Sequence, residues 1–417
     1  MGRFLEFIGA IALAVLTYAG QVKSLPAMSW IPVDLTLLTA AMAAGCSALM
    51  FLTKGPTPRI LVILGLWWCF LFPAFMIAPT PYGMQKVLTL FTFTLITAAS
   101  PFFILRTEQQ RRLFLITLVV LSAVVGVMSY QAGALESLTG SAFSDISPIS
   151  ISRLMGTGVV VLLVLAFAKG TKVIWRFAMF AAASGLLLMI FASGRRGPVL
   201  AVVVGVVAAL ALAPVFRKYR VRALVAGVLA LGAAGWYSIQ DGSAGSERVL
   251  SFLNGDEDAS TVARGQIWDG AFSIIGAHPQ GIGWGSFPQF ADVSQMTNGD
   301  RRMYAHNLFL EGYVEGGWII GSLLLLFVIV AIRRMQKHAT TPALATFLGL
   351  LAFALTNAMV SGDINDQKLM WVVLGLAFVL GNNGPAKRKE APNMVAARDW
   401  VNRASKVRAK QGATRRL

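Results

Sequence analysis

Apolar runs of about 20 residues, separated by short charged or Pro/Gly-rich breaks, recur along the whole chain. A helix rises about 1.5 Å per residue, so about 20 apolar residues cross a hydrocarbon core of about 30 Å. Twelve runs are legible, near residues 4–20, 32–53, 60–79, 86–105, 113–131, 154–168, 173–193, 198–216, 222–239, 308–332, 341–361 and 368–382. The pattern predicts an all-α polytopic membrane protein with about twelve transmembrane helices. Two stretches depart from it. Residues 239–305 form the longest polar segment, rich in Gly, Asp and Ser, and residues 384–417 form a basic, polar tail behind a membrane domain of residues 1–383.

Composition excludes other classes. Of the 417 residues, 56% are hydrophobic and 13% charged, whereas an ordinary soluble domain carries about 25% charged residues. A water-soluble fold has nowhere to put that apolar surface, so soluble-enzyme and disordered readings are set aside. The first run lacks a small-x-small cleavage site and more spans follow, so it reads as a retained helix. Cys46 and Cys69 both lie inside apolar runs, which argues against a disulfide framework or a cysteine zinc site.

The net charge of +17 would suggest nucleic acid in a soluble protein; here it reports orientation, and no nucleic-acid partner is expected. With the N-terminus inside, short cytoplasmic segments hold sixteen of the 36 Lys and Arg residues, the tail ten, and the opposite face ten. Every short inside loop is Lys/Arg-rich, as the positive-inside rule requires. Both termini are therefore expected in the cytoplasm, with the tail drawn to anionic membrane lipids.

The chemistry is expected outside. The turn Ser193-Gly194-Arg195-Arg196-Gly197-Pro198 places two arginines on the face where the rule disfavours them, and guanidinium suits phosphate oxygens; a topological anchor is the competing reading. The long loop contains Arg264 and Trp268, then Pro279-Gln280-Gly281-Ile282-Gly283-Trp284-Gly285-Ser286-Phe287. Ile267, Ala271, Ile274 and Ile275 recur at helical spacing, predicting a short helix on the membrane surface. No helix of the dinucleotide-binding kind follows the glycine run, which reads instead as a turn letting backbone approach a neighbour or ligand. Before the tenth span comes Tyr304-Ala305-His306-Asn307, followed by Glu311 and Glu315 at an i, i+4 spacing. A histidine at this boundary can act as a general base near neutral pH, and ionisable groups inside a span favour function; a helix cap is the alternative. Asp363 and Asp366 lie in the turn before the last span, either reaching the cavity of His306 or forming a polar turn. Asp256-Glu257-Asp258 reads as a solvated loop.

These landmarks resemble, in order, the O-antigen ligase / O-antigen polymerase superfamily of bacterial envelope glycosyltransferases. Ser193 to Gly197 is similar to the family's Ser-Arg-Gly turn, with Arg196 the matching arginine and Arg195 standing where the family usually has serine. Arg264, Trp268 and the Pro279–Phe287 run match the second element. His306-Asn307 with Leu310, Glu315 and Gly317 resembles His-Asn-x-x-Leu…Glu-x-Gly, and the following Gly-x-x-Gly is one residue longer here.

The resemblance implies a GT-C-like fold in the bacterial inner membrane with a periplasmic site. The implied donor is a glycan on undecaprenyl pyrophosphate, and the acceptor lipid A–core or another glycan. Arg195, Arg196 and Arg264 would hold the pyrophosphate, with His306 as base. Trp268, Gly281, Gly283, Asn307, Glu315 and Asp366 would support them. Neither metal nor other cofactor is implied. Length, the single large loop and basicity favour a ligase over an O-antigen or exopolysaccharide polymerase. A transporter, the reading from another class, would place charged or broken helices near the bilayer midplane with repeat symmetry.

Overall fold

Local chemistry starts the helices where the hydrophobic pattern demands them. The computed structural model describes residues 2–23, 32–55, 58–75, 80–131, 148–193, 196–222, 224–225, 229, 259–291 and 304–381, and among these every regular element is helical. The helices are α1 (Gly2–Lys23), α2 (Leu35–Lys54), α3 (Ile60–Ala74), α4 (Pro81–Ile104), α5 (Glu108–Gln131), α6 (Pro148–Ala166), α7 (Val173–Ala192) and α8 (Arg196–Leu212). After the long loop come α9 (Ala259–Ala277), α10 (Leu308–His338), α11 (Pro342–Ala358) and α12 (Lys368–Val379).

Asp34 caps α2, accepting from the Thr36 and Leu37 amides at 2.8 and 3.1 Å, and also pairs with Lys23 at 2.6 Å. The Lys23 bond holds its carboxyl below the usual range. Thr80 and Thr341 cap α4 and α11, each followed by a proline whose missing N–H costs nothing there. Inside α4 the segment Leu90–Thr94 widens to a π-helix, and the Trp67 indole N–H donates to the Leu90 carbonyl at 2.9 Å.

Seven described helices are long and apolar enough to cross a membrane, and α8 makes an eighth when joined through a 99° bend to Pro214–Arg222. The bend falls at extended Ala213, the conformation forced on a residue before proline. The expected third, eleventh and twelfth spans are shorter helices, Ile60–Ala74, Pro342–Ala358 and Lys368–Val379. The 12 residues of α12 cover only about 18 Å. Most of the expected ninth span (222–239), most of the long loop and the tail 384–417 lie outside the described residues.

Hydrogen bonds sort the helix ends into two levels. At one level Tyr18 meets Thr157, Ser152 meets Ser193, Arg153 reaches the Asn357 and Ser361 carbonyls, and Asn365 reaches the Lys86 carbonyl. At the other level Arg106 reaches Gly55, Thr341 reaches Glu108, and Val215 reaches Ala339. The second level gathers Arg59, Arg106, Arg111, Arg112 and Lys337, residues expected on the cytoplasmic side.

Within the bundle, glycines set the spacing. α8 packs along α11 where Gly205 and Gly349 face each other. A Cβ on Gly205 would lie 2.9 Å from the Gly349 oxygen, and a Cβ on Gly349 2.8 Å from the Gly205 oxygen. Lipid tails offer no hydrophobic drive between helices, so such close approach carries much of the association. Gly349→Leu is therefore expected to lower the thermal unfolding temperature of the detergent-extracted protein, whereas Gly185→Ala, with no neighbour within 4 Å of the new carbon, leaves it within a few degrees. Equal temperatures for the two variants would remove glycine packing as the constraint.

Candidate functional site

The site is built around a break in α10. Gly317 adopts φ 75° and ψ −178° inside that helix, so the carbonyls of Val314 and Glu315 lose the amides that a continuous helix would supply. The glycine run replaces them: Ile282 N–H donates to Val314 O and Gly283 N–H to Glu315 O, both at 3.0 Å, and Trp318 N–H returns to Pro279 O at 2.9 Å. Gly281, at φ 89°, leaves no room for a side chain; a Cβ would lie 2.6 Å from the Glu315 oxygen. On its other side the run reaches α4, where a Cβ on Gly83 would lie 2.7 Å from the Trp284 oxygen. The Trp284 indole donates to the Phe70 carbonyl at 2.8 Å. Gly281 and Gly283 thus let backbone approach a neighbouring helix.

The predicted loop helix is present as α9. Ile267, Ala271 and Ile274 are buried with Ile282, Phe287, Ala305 and Val314, so its apolar stripe packs on the glycine run and α10. The Trp268 indole donates to the Ala305 carbonyl at 3.1 Å, fixing the residue before His306. Asn307 caps α10, accepting from the Phe309 and Leu310 amides at 3.0 and 3.2 Å.

His306, between these fixed neighbours, has φ 51°, the only non-glycine positive φ among the described residues, at a cost of about 1–3 kcal/mol. Its ring lies 4.4 Å from that of Tyr304. Burial, then the charges of Arg264 and Arg153, push its imidazole down to about 4. Burial and the nearby Asp366, Asp363 and Glu311 carboxylates raise the Tyr304 hydroxyl, keeping it a hydrogen-bond donor.

Two cations that sequence reading counted only as outer-face charges occupy decisive positions. Lys86 is buried in α4, pairing with Glu311 at 2.5 Å and with Glu315. Glu315, expected to support the site, is thus one arm of an ion triad. The triad lies one and two turns into α10, roughly 5 and 11 Å from its start, nearer its mouth than a midplane at about 15 Å. The signal was present: two carboxylates at i, i+4 inside a span require a cation from another helix. Arg153, on α6, anchors on the Asn357 and Ser361 carbonyls at 3.3 and 2.7 Å.

Asp366 receives the Asp363 amide at 3.3 Å, and the Asp363 carboxylate receives the Asn365 and Asp366 amides at 2.9 Å each. Asp366 is solvent-exposed though densely surrounded by protein, as a group lining a cleft must be; desolvation and Asp363 push it up to about 6. Arg195 and Asp256–Asp258 lie outside the described residues, as does the side chain of Arg196. The residues on either side of the α7–α8 turn are placed: Ser193, which follows α7, hydrogen-bonds Ser152 at 3.0 Å, and a Cβ on Gly197 of α8 would lie 3.8 Å from Val360. That puts Ser193 beside Arg153 and Gly197 beside the turn leading to Asp363. Among the described residues no cluster of three or more His, Cys, Asp or Glu could hold a metal.

Fold and site define a polytopic helical membrane protein with an arginine–histidine centre at one end of its bundle. The family model described as O-Antigen ligase matches residues 181–326, and this supports the O-antigen ligase / O-antigen polymerase superfamily for the chain. The family implies a glycosyltransferase-like membrane enzyme acting on lipid-linked glycans. The matched stretch holds Arg264, the glycine run, His306 and Glu315; Lys86, Arg153 and Asp366 lie outside it. No curated protein matches the chain.

Two outcomes follow. Lys86→Met strands two carboxylates in a dry site and is expected to cost about 3–5 kcal/mol; thermal unfolding in detergent should show the loss, and adding Glu311→Gln and Glu315→Gln should recover at least half of it. No recovery would mean that the carboxylates are not what Lys86 neutralises. The His306 imidazole lies at about 4, against about 6.5 for a free one. It should stay mostly neutral at pH 5, so its diethyl pyrocarbonate labelling, read by mass spectrometry, should fall less than twofold between pH 7 and 5. As pH falls from about 6.5 towards about 4, unfolded chains take up a proton that the folded site refuses, so this group's contribution to stability is lost across that window. A tenfold fall in labelling would contradict the assigned environment.

Proposed function

We propose that the protein is an inverting glycosyltransferase that moves a glycan from undecaprenyl pyrophosphate to lipid A–core at the periplasmic face of the bacterial inner membrane. In this reading about twelve crossings in a GT-C-like arrangement leave both termini in the cytoplasm. The observation that carries it is His306, held at φ 51° just before α10 and subject to the charges of Arg264 and Arg153, at the end of the bundle opposite the basic loops. The cations of this end are not equivalent. Lys86 faces two carboxylates, which leaves Arg264, with Arg195 and Arg196 from the α7–α8 turn, to hold the pyrophosphate.

Chemistry follows from charge flow. The acceptor hydroxyl attacks the anomeric carbon, forming a carbon–oxygen bond while its proton passes to the His306 imidazole. The bond from that carbon to the phosphate oxygen breaks, and its electron pair stays on the diphosphate, whose growing charge the arginines stabilise. An imidazole depressed by burial and by two arginines is a weak base on its own. Bound diphosphate would offset the arginine part of that depression, so base strength and donor binding are coupled.

His306→Ala, Arg264→Ala and Arg196→Ala are each expected to leave folded protein in the membrane while lowering transfer at least about 100-fold. The assay is reconstituted protein with purified carrier-linked glycan and lipid A–core; full activity in all three would overturn the site. Lipopolysaccharide gels of a deletion strain test the acceptor. Loss of every glycan rung supports a ligase, survival of one repeat unit on core a polymerase, and glycan movement without bond transfer a transporter.

A further inference from the structure

A small polar cavity lies against the turn that carries Asp366. It opens between α1, α6, α11 and the start of α12, with Tyr18, Ser150, Arg153, Asn357, Asp366 and Gln367 among its walls, and offers about 30 Å³. A water molecule needs about 10–15 Å³ of such space, so there is room for a small polar arm such as a hydroxyl or hydroxymethyl group.

The walls fix what such an arm must be. Two of the Arg153 contacts go to main-chain carbonyls, while its buried Nε has no hydrogen-bond partner. Asp366 brings an accessible carboxylate into the same space. An anion entering here would meet Asp366, and a cation would meet Arg153. A neutral hydroxyl matches both, accepting from the Arg153 guanidinium and donating to Asp366. Arg153 also acts electrostatically on His306, and Asp366 on Tyr304, whose ring adjoins that imidazole. The Ile364 amide, from the turn that carries Asp366, donates to Glu311 at 3.2 Å, which holds this turn against the first turn of α10, next to His306.

We propose that this cavity is the acceptor subsite: it takes a hydroxyl-bearing arm of the acceptor saccharide between Arg153 and Asp366 and so orients the neighbouring hydroxyl towards His306. The assignment rests on the glycosyl-transfer reading. It gives the two substrates different partners, the anionic donor on Arg264 and the neutral acceptor on the Arg153–Asp366 pair.

The test is steady-state transfer by the full-length protein in proteoliposomes, with purified undecaprenyl-pyrophosphate-linked glycan as donor and lipid A–core from a strain lacking the enzyme as acceptor. Asp366→Ala removes the hydroxyl's acceptor, and Arg153→Lys keeps a positive charge while removing the planar guanidinium donors. Each should raise the acceptor KM about tenfold, the worth of about 1.4 kcal/mol, and leave the donor KM within about twofold. Asp366→Asn, which keeps a hydrogen-bond acceptor, should fall between wild type and Asp366→Ala, and it stands in should the alanine variant fail to fold. Unchanged acceptor KM in both principal variants would mean that the cavity holds water only, and a raised donor KM would make it part of the donor site; either sinks the subsite while transfer itself stands. No transfer by the wild-type protein would instead overturn the glycosyl-transfer reading.

Discussion

The active end of this bundle depends on the Lys86–Glu311–Glu315 triad. One ammonium against two carboxylates is a costly arrangement in a low-dielectric interior, and it survives only where geometry is tight and surrounding groups add hydrogen bonds. The Ile364 amide donates to Glu311 at 3.2 Å, and Asn365, which ties to the Lys86 carbonyl, also meets Thr94. The triad therefore joins α4, the first two turns of α10 and the turn before α12. These elements carry or flank His306, Asp363 and Asp366, so the ion cluster fixes their register relative to one another.

The broken helix is the second half of that constraint. A continuous α10 would satisfy its own carbonyls and leave the long loop with nothing to dock on. Breaking it at Gly317 exposes the Val314 and Glu315 carbonyls, and Gly281 and Gly283 bring backbone close enough to use them. Glu315 belongs to both devices: its side chain meets Lys86 and its carbonyl receives Gly283. Loop docking and ion pairing are thus coupled through one residue.

How legible this was depends on whether the information is local in sequence. Helix positions were readable because hydrophobic length is a property of a contiguous stretch, and α9 was readable from the spacing of Ile267, Ala271 and Ile274. Asn307 as a cap, and the glycine run as a close approach, were readable from local chemistry. Lys86 and Arg153 were not, since their partners lie 229 and more than 200 positions away. Counting charges by face put both among the ten of the outer face and hid what each one touches. Span lengths misled in a smaller way: α12 ends at Val379, and Pro73 falls in the last turn of α3, where a proline weakens helical continuation.

The same pairing decides which positive charges remain for an anion. Electrostatic attraction depends on what a cation has already met, so counting arginines and lysines near a site overstates its appetite for phosphate. Lys86 is outnumbered by carboxylates and contributes no net positive field; Arg153 is offset by Asp366 across the cavity. Arg264 remains on the His306 side, where it acts on the imidazole together with Arg153. The turn carrying Arg195 and Arg196 begins at Ser193, hydrogen-bonded to the residue preceding Arg153. On the proposed reading, a diphosphate is drawn to Arg264 and held off by the carboxylates of the α11–α12 turn, which leaves that turn to the neutral hydroxyl of the acceptor; the two substrates would then approach His306 through different neighbours.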